Sequence, residues 1–149
     1  MGQKLVIGYG NPLRTDDGLG LRAVETLLTR LPCGQCEAIT NHQLVPELAE
    51  KIARADRVAF IDASSESHGR EAGTIRQRPV RSDAVQTGGL SHHVAPECLV
   101  ALAGQLYGYE PQAVLFTVEA QSFELGENLT PPVQAALPEL IDQIMAWIG

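Results

Sequence analysis

The stretch that most narrows what this chain can become is residues 5–20, Leu-Val-Ile-Gly-Tyr-Gly-Asn-Pro-Leu-Arg-Thr-Asp-Asp-Gly-Leu-Gly. Leu5, Val6 and Ile7 make a short apolar, β-branched run of the kind buried on both faces in a parallel sheet. Gly8, Gly10, Asn11 and Pro12 end it abruptly in a loop. Beyond the adjacent carboxylates of Asp16 and Asp17, Val24, Leu27, Leu28 and Leu31 recur at i, i+3, i+4 and i+7, the apolar stripe of an amphipathic helix. Strand, glycine loop, acid pair and helix therefore form one βα unit. In open α/β sheets ligands bind beyond the carboxyl ends of the strands, which is where this loop delivers its two acids.

A dinucleotide site would need a third glycine three residues after Gly10, and Leu13 stands there instead. Helix capping accounts for one aspartate, because Asp accepts hydrogen bonds from the free N–H groups of a first turn. It leaves the other unexplained. Two adjacent carboxylates repel each other, and a cation or a basic partner relieves that repulsion.

A chain of 149 residues suits a single domain over 1–149, able to bury roughly 68–70% of the surface its unfolded form exposes. The net charge of −7, with Lys4 and Lys51 as the only lysines, argues against a nucleic-acid partner and favours a basic protein segment. The apolar run at residues 5–7 is too short for a signal peptide or a membrane span. The sequence is therefore read as cytoplasmic, with no membrane partner.

Further along, Cys33-Gly34-Gln35-Cys36 follows the first helix and enters a strand at residues 37–40. A redox pair of the thioredoxin type sits instead at a helix N-terminus, which lowers its thiol pKa, and the remaining Cys98 is too distant in sequence to suggest a zinc cluster. The pair is read as incidental reduced thiols. Asn41-His42-Gln43 opens an expected helix over residues 44–52, striped by Leu44, Leu48 and Ile52, with His42 a solvated loop residue near the strand ends. Residues 57–63 form the clearest second strand, and Asp62 ends it. Asp62 is either a turn acid before Ser64 or, if the two strands are parallel neighbours, a third carboxylate at the edge reached by Asp16 and Asp17.

Residues 74–80 alternate and contain Pro79, which suits an edge strand. Gly88 and Gly89 lead to Ser91, His92 and His93, which precede an expected helix over residues 95–107 with Leu99, Leu102 and Leu106 as its stripe. The two imidazoles are either solvated helix-start residues or ligands. Residues 111–120 read as a buried strand. Thr130 as N-cap and Pro131 at the first helical position open a last helix that packs through Leu137, Leu140, Ile141, Ile144 and Ile148.

Gly8-x-Gly10-Asn11-Pro12-Leu13-x-x-Asp16-Asp17-Gly18-x-Gly20 resembles the opening motif of the hydrogenase maturation proteases, the endopeptidases that trim the large subunit of nickel-iron hydrogenases. The Asp62-Ala63 strand end, the Ser91-His92 helix entry and the Leu129-Thr130-Pro131-x-Val133 helix start carry the resemblance along nearly the whole chain. It implies an α/β fold, a three-layer α/β/α sandwich with a mostly parallel central sheet. It implies removal of a C-terminal peptide from a nickel-loaded hydrogenase large-subunit precursor, and a metal-ligand set of Asp17, Asp62 and His92, with His93 as the alternative to His92. Such a set suits a borderline divalent ion while leaving positions open. That ion would be nickel contributed by the substrate, or zinc or a cadmium-like ion at the same site. Asp16 and Asp17 are the catalytic candidates, Asp16 as a base, and Asn11 and Gln43 the candidate substrate contacts. At Asn41-His42-Gln43 the chain departs from the family's glycine-rich turn, which leaves the shape of that loop open.

Two other readings stay open. A phospho-receiver module also places an acid pair after its first strand and one Asp after its third, but it needs a lysine beyond its last strand, and none follows Lys51. A metal-dependent hydrolase acting on another peptide would use the same residues.

Overall fold

The apolar run at residues 5–7 lies inside the strand β1 (Lys4–Tyr9), which is flanked on both sides by parallel neighbours, β2 (Cys36–Asn41) and β3 (Arg57–Ser64). This computed structural model describes residues 3–31, 36–65, 70–84 and 94–149. Two more strands, β4 (Ile75–Pro79) and β5 (Gln112–Glu119), complete a sheet in the order β2-β1-β3-β5-β4. Only β4 runs antiparallel, along the outer side of β5. Pro79 has no N–H to donate, and an edge strand tolerates that loss, as expected for residues 74–80.

Helices α1 (Leu19–Leu28), α2 (Leu48–Ala53), α3 (Pro96–Tyr107) and α4 (Pro131–Ile148) cover the two faces of the sheet. Side chains alternate across a strand, so Val6, Ala59, Ile61, Phe116 and Val118 pack against α1 and α4 on one face. Leu5, Ile7, Val58, Phe60 and Leu115 pack against α2 and α3 on the other. The fold is a three-layer α/β/α sandwich. Burial on both faces explains why β1 and β3 read as continuous apolar runs. Among the described residues, no helix is long and apolar enough to cross a membrane.

Three expectations change in detail. Helix α2 begins at Leu48 rather than residue 44, because proline disfavours a helical conformation at Val45 and starts a turn in which the Ala49 N–H donates to the Pro46 carbonyl. Leu44 is still buried, but from a loop. In α3 the buried stripe runs through Leu99, Val100 and Ala103, leaving Leu106 62% exposed. In α1 it runs through Leu19, Ala23, Val24 and Leu27, leaving Leu28 outside.

The glycines of the opening motif bring α1 down onto the strands. A Cβ on Gly8 would lie 2.1 Å from the Gly20 carbonyl oxygen, and one on Gly20 would lie 2.7 Å from the Tyr9 nitrogen. No larger residue fits either place. The N-terminal end of α1 thus rests against backbone, and the loop before it is held over the carboxyl ends of β1 and β3.

Candidate functional site

Asp16 and Asp17 occupy a 3-10 turn at Thr15–Gly18, and the turn sends them in opposite directions. Asp16 has no exposure. Its Oδ2 accepts from the backbone N–H groups of Gln121 and Ser122 at 2.8 and 3.0 Å, and its Oδ1 from the Thr130 N–H at 2.8 Å. The Thr130 hydroxyl lies 3.0 and 2.8 Å from the two oxygens. Asp16 therefore ties the loop after β1 to the segment between β5 and α4. It does not reach the cleft described below, which corrects its assignment as a base: both oxygens are already engaged and no water can approach them. Thr130 is the residue before α4, as expected, but it makes no side-chain cap; its hydroxyl is given to Asp16.

The same loop is reinforced by Thr15. Its N–H donates to the Gly126 carbonyl at 2.9 Å and its hydroxyl to the Glu124 carbonyl at 2.5 Å, while Gly126 donates back to Leu13 at 2.9 Å. These bonds hold Thr15 at φ +53°, a left-handed conformation that a β-branched residue adopts only under constraint. Gly10 sits at φ +141°, and a Cβ there would stand 2.0 Å from the Asp17 carbonyl oxygen. Only glycine fits this approach.

Asp17 points the other way. Its Oδ2 accepts the Asn11 N–H at 2.8 Å, and the Asn11 Oδ1 in turn accepts the Leu13 N–H at 2.9 Å. Asp62 comes from the end of β3, directly beside β1. Its Oδ1 accepts the Ala63 N–H at 2.8 Å, and the Tyr9 hydroxyl donates to its carboxylate. Burial, and then the negative charge of Asp17, push the Asp62 carboxyl up to about 7, against the Ala63 N–H and the Tyr9 hydroxyl, which favour its charged form. Burial and the facing Asp62 carboxylate together push the Tyr9 hydroxyl above its usual range.

Asp17 and Asp62 line one cleft of about 990 Å³, together with Tyr9, Asn11, His42 and Gln43. Asn11 and Gln43, the candidate substrate contacts, are thus both on its wall. His92 and His93 lie outside the described residues, as do His68 and Cys33. Among the described residues no group of three or more His, Cys, Asp or Glu is placed to hold a metal ion; the two carboxylates form a pair. Cys36 opens β2 as a free thiol, and burial pushes its pKa up, the opposite of an activated redox thiol.

No protein-family model matches the sequence. The chain is 30% identical over 145 residues to the hydrogenase 2 maturation protease of Escherichia coli (strain K12), a match covering 95% of this chain and 88% of the relative. It belongs to the hydrogenase maturation protease family. The solved structure of the hydrogenase maturating endopeptidase HybD from E. coli matches it with a TM-score of 0.77 at 29% identity, covering 98% of this chain and 91% of that one. The hydrogenase maturation protease HycI from Thermococcus kodakarensis KOD1 shares the fold, with a TM-score of 0.76 at 23% identity over 99% and 92% of the two chains. The chain is thus an endopeptidase of this family.

In this maturation protease the cleft also has members that sequence reasoning missed. Tyr9, the last residue of β1, shares a face with Ile7, and the period of two along the strand was the one signal for its position. Arg14, Arg70, Arg76 and Arg78 line the same cleft. Arg78 is paired with the buried Glu97 of α3, and the Arg14 Nε donates to the Phe123 carbonyl at 3.2 Å. No local pattern marks Arg76 and Arg78 as cleft residues, because β4 joins the sheet through a long-range antiparallel pairing.

Proposed function

We propose that this maturation protease removes the C-terminal peptide of a nickel-iron hydrogenase large-subunit precursor that already carries its nickel, and that it does so in the cytoplasm. The observation supporting this is the delivery of Asp17, from the turn after β1, and Asp62, from the end of β3, onto one cleft where the charge of Asp17 raises the Asp62 carboxyl. Two like charges so placed attract a divalent cation. In this reading the nickel arrives with the substrate as the recognition handle, and His92, or His93 in its place, supplies the imidazole that completes the donor set. The nickel also offers Lewis-acid polarisation of a nearby carbonyl. The chain's own part is to present the carboxylates: Asn11 fixes the rotamer of Asp17 and Tyr9 with Ala63 that of Asp62. Zinc or a cadmium-like ion would occupy the same donors in the absence of substrate.

The test is a gel assay of purified protein against nickel-loaded and nickel-free precursor. Shortening of the loaded form alone is expected; equal cleavage of both refutes nickel recognition. Asp17→Ala, Asp62→Ala and His92→Ala should each abolish processing in folded protein, and His93→Ala should be mild. The reverse result for the two histidines moves the third donor to His93.

A further inference from the structure

The cleft carries a charge pattern opposite to that of the whole chain. Arg14, Arg70, Arg76 and Arg78 line it together with Asp17 and Asp62, a surplus of two positive charges in a protein of net charge −7. Two of the four are committed, Arg78 to Glu97 and Arg14 to the Phe123 carbonyl. The guanidinium groups of Arg70 and Arg76 have no ion-pair or hydrogen-bond partner among the described residues. An arginine with no partner among the described residues, on the wall of an open cleft, is placed to meet an anion from outside. The guanidinium fork matches a carboxylate with two parallel hydrogen bonds, which a lysine cannot do.

Sheet register fixes the backbone distance between Arg76 and Asp62. Asp62 of β3 pairs with Thr117 of β5, and Thr117 pairs with Arg76 of β4. Residues in register point to the same face, so Asp62, Thr117 and Arg76 form one row across the cleft floor. Neighbouring strands are about 4.8 Å apart, which sets the Arg76 backbone about 10 Å from that of Asp62.

We propose that Arg70 and Arg76 form a carboxylate-binding site for the peptide being cut, on the wall of the cleft that holds Asp62. This rests on the function proposed above and deepens it. The carboxylate is either the free C-terminal end of the released tail or an Asp or Glu side chain within it, and the chemistry of recognition is the same for both.

The test uses three peptides: acetyl-tetraglycine with a free C-terminus, its C-terminal amide, and acetyl-Gly-Gly-Glu-Gly-amide. The arginine Nε–H signals of the protein are followed by NMR at low salt. The carboxylate peptides should shift the Arg70 and Arg76 signals and the neutral amide should not. Response to the first peptide alone identifies the tail end, and response to the third alone identifies an acidic side chain. Binding should vanish in Arg70→Gln/Arg76→Gln and persist in Arg30→Gln, an exposed arginine outside the cleft. A neutral amide that shifts the signals equally, or carboxylate binding that survives the double variant, overturns the proposal.

With precursor as substrate, the double variant should raise KM about tenfold or more and leave kcat within about twofold, as expected for lost charged contacts. If wild-type protein cuts no hydrogenase precursor while the peptides still report on Arg70 and Arg76, the proposed function falls and the carboxylate site stands. If precursor is cut with an unchanged KM by the double variant, the site falls and the function stands.

Discussion

Replacing Asp16 separates holding the site together from acting in it. Each of its oxygens takes at least one backbone N–H, with Gln121 and Ser122 on Oδ2 and Thr130 on Oδ1. In Asp16→Asn one oxygen becomes an NH2 group. The cheaper orientation turns that group toward Thr130, losing one backbone partner; the other would lose two. A buried N–H left without an acceptor costs about 1–3 kcal/mol, so Asp16→Asn should destabilise by about 2–3 kcal/mol. Asp16→Ala strands all three and should cost about 3–5 kcal/mol. At about 2–4 °C per kcal/mol for a chain of this size, Tm should fall by about 5–10 °C for the asparagine variant. Trp147, the sole tryptophan, lies near the C-terminal end of α4, the helix that Thr130 precedes, and reports urea unfolding by fluorescence. Asp17→Asn is the control: Asp17 holds one backbone N–H at the cleft wall, so stability should move by about 1 kcal/mol while processing is lost. If Asp16→Asn leaves the urea midpoint unchanged yet abolishes processing, Asp16 acts in the chemistry and the clamp reasoning is refuted.

Asp62 makes stability depend on pH in the metal-free protein. Its carboxyl titrates at about 7 when folded against 3.8 as a free group, so between those values the folded state keeps a proton that the unfolded chain has lost. Stability should therefore fall as pH rises from about 4 to about 7 and level off above, by at most about 4 kcal/mol and by about 2 once water screening at this partly exposed group is allowed for. Asp62→Asn should flatten that slope; urea midpoints at both pH extremes that change equally in variant and wild type would contradict it. Cys33→Ser/Cys36→Ser should leave processing intact and change stability by about 0–2 kcal/mol, and loss of activity in folded variant would expose a functional thiol pair.

What could be read from the sequence followed the range of the interactions involved. The βα unit at the N-terminus was legible because period, glycine breaks and acid placement all act within residues 5–31. The parallel pairing of β1 with β3, and so the shared edge of Asp17 and Asp62, followed from two apolar runs of the right length. The phase of α3 was misread because its buried face is set by Val100 and the small Ala103, whereas leucine spacing pointed to the exposed Leu106. The role of Asp16 was hidden for a different reason. Its partners lie 105 to 114 residues away, and nothing in an acid pair says which member turns inward. The placement of Arg76 and Arg78 depends on β4 adding antiparallel to the far side of β5, a choice made by tertiary packing rather than by local pattern.

The clamp on Asp16 also orders events in time. Chains emerge from the ribosome N-terminal end first, so the glycine loop, the acid pair and β3 are synthesised long before Thr130. Until Thr130 and the segment at residues 121–122 arrive, the turn carrying Asp17 lacks the bonds that hold Thr15 in its constrained conformation and Asp16 in place. A nascent chain therefore carries both cleft carboxylates without a fixed distance between them. The site is thus completed late, when the segment at residues 121–130 docks against the turn that carries Asp16 and Asp17.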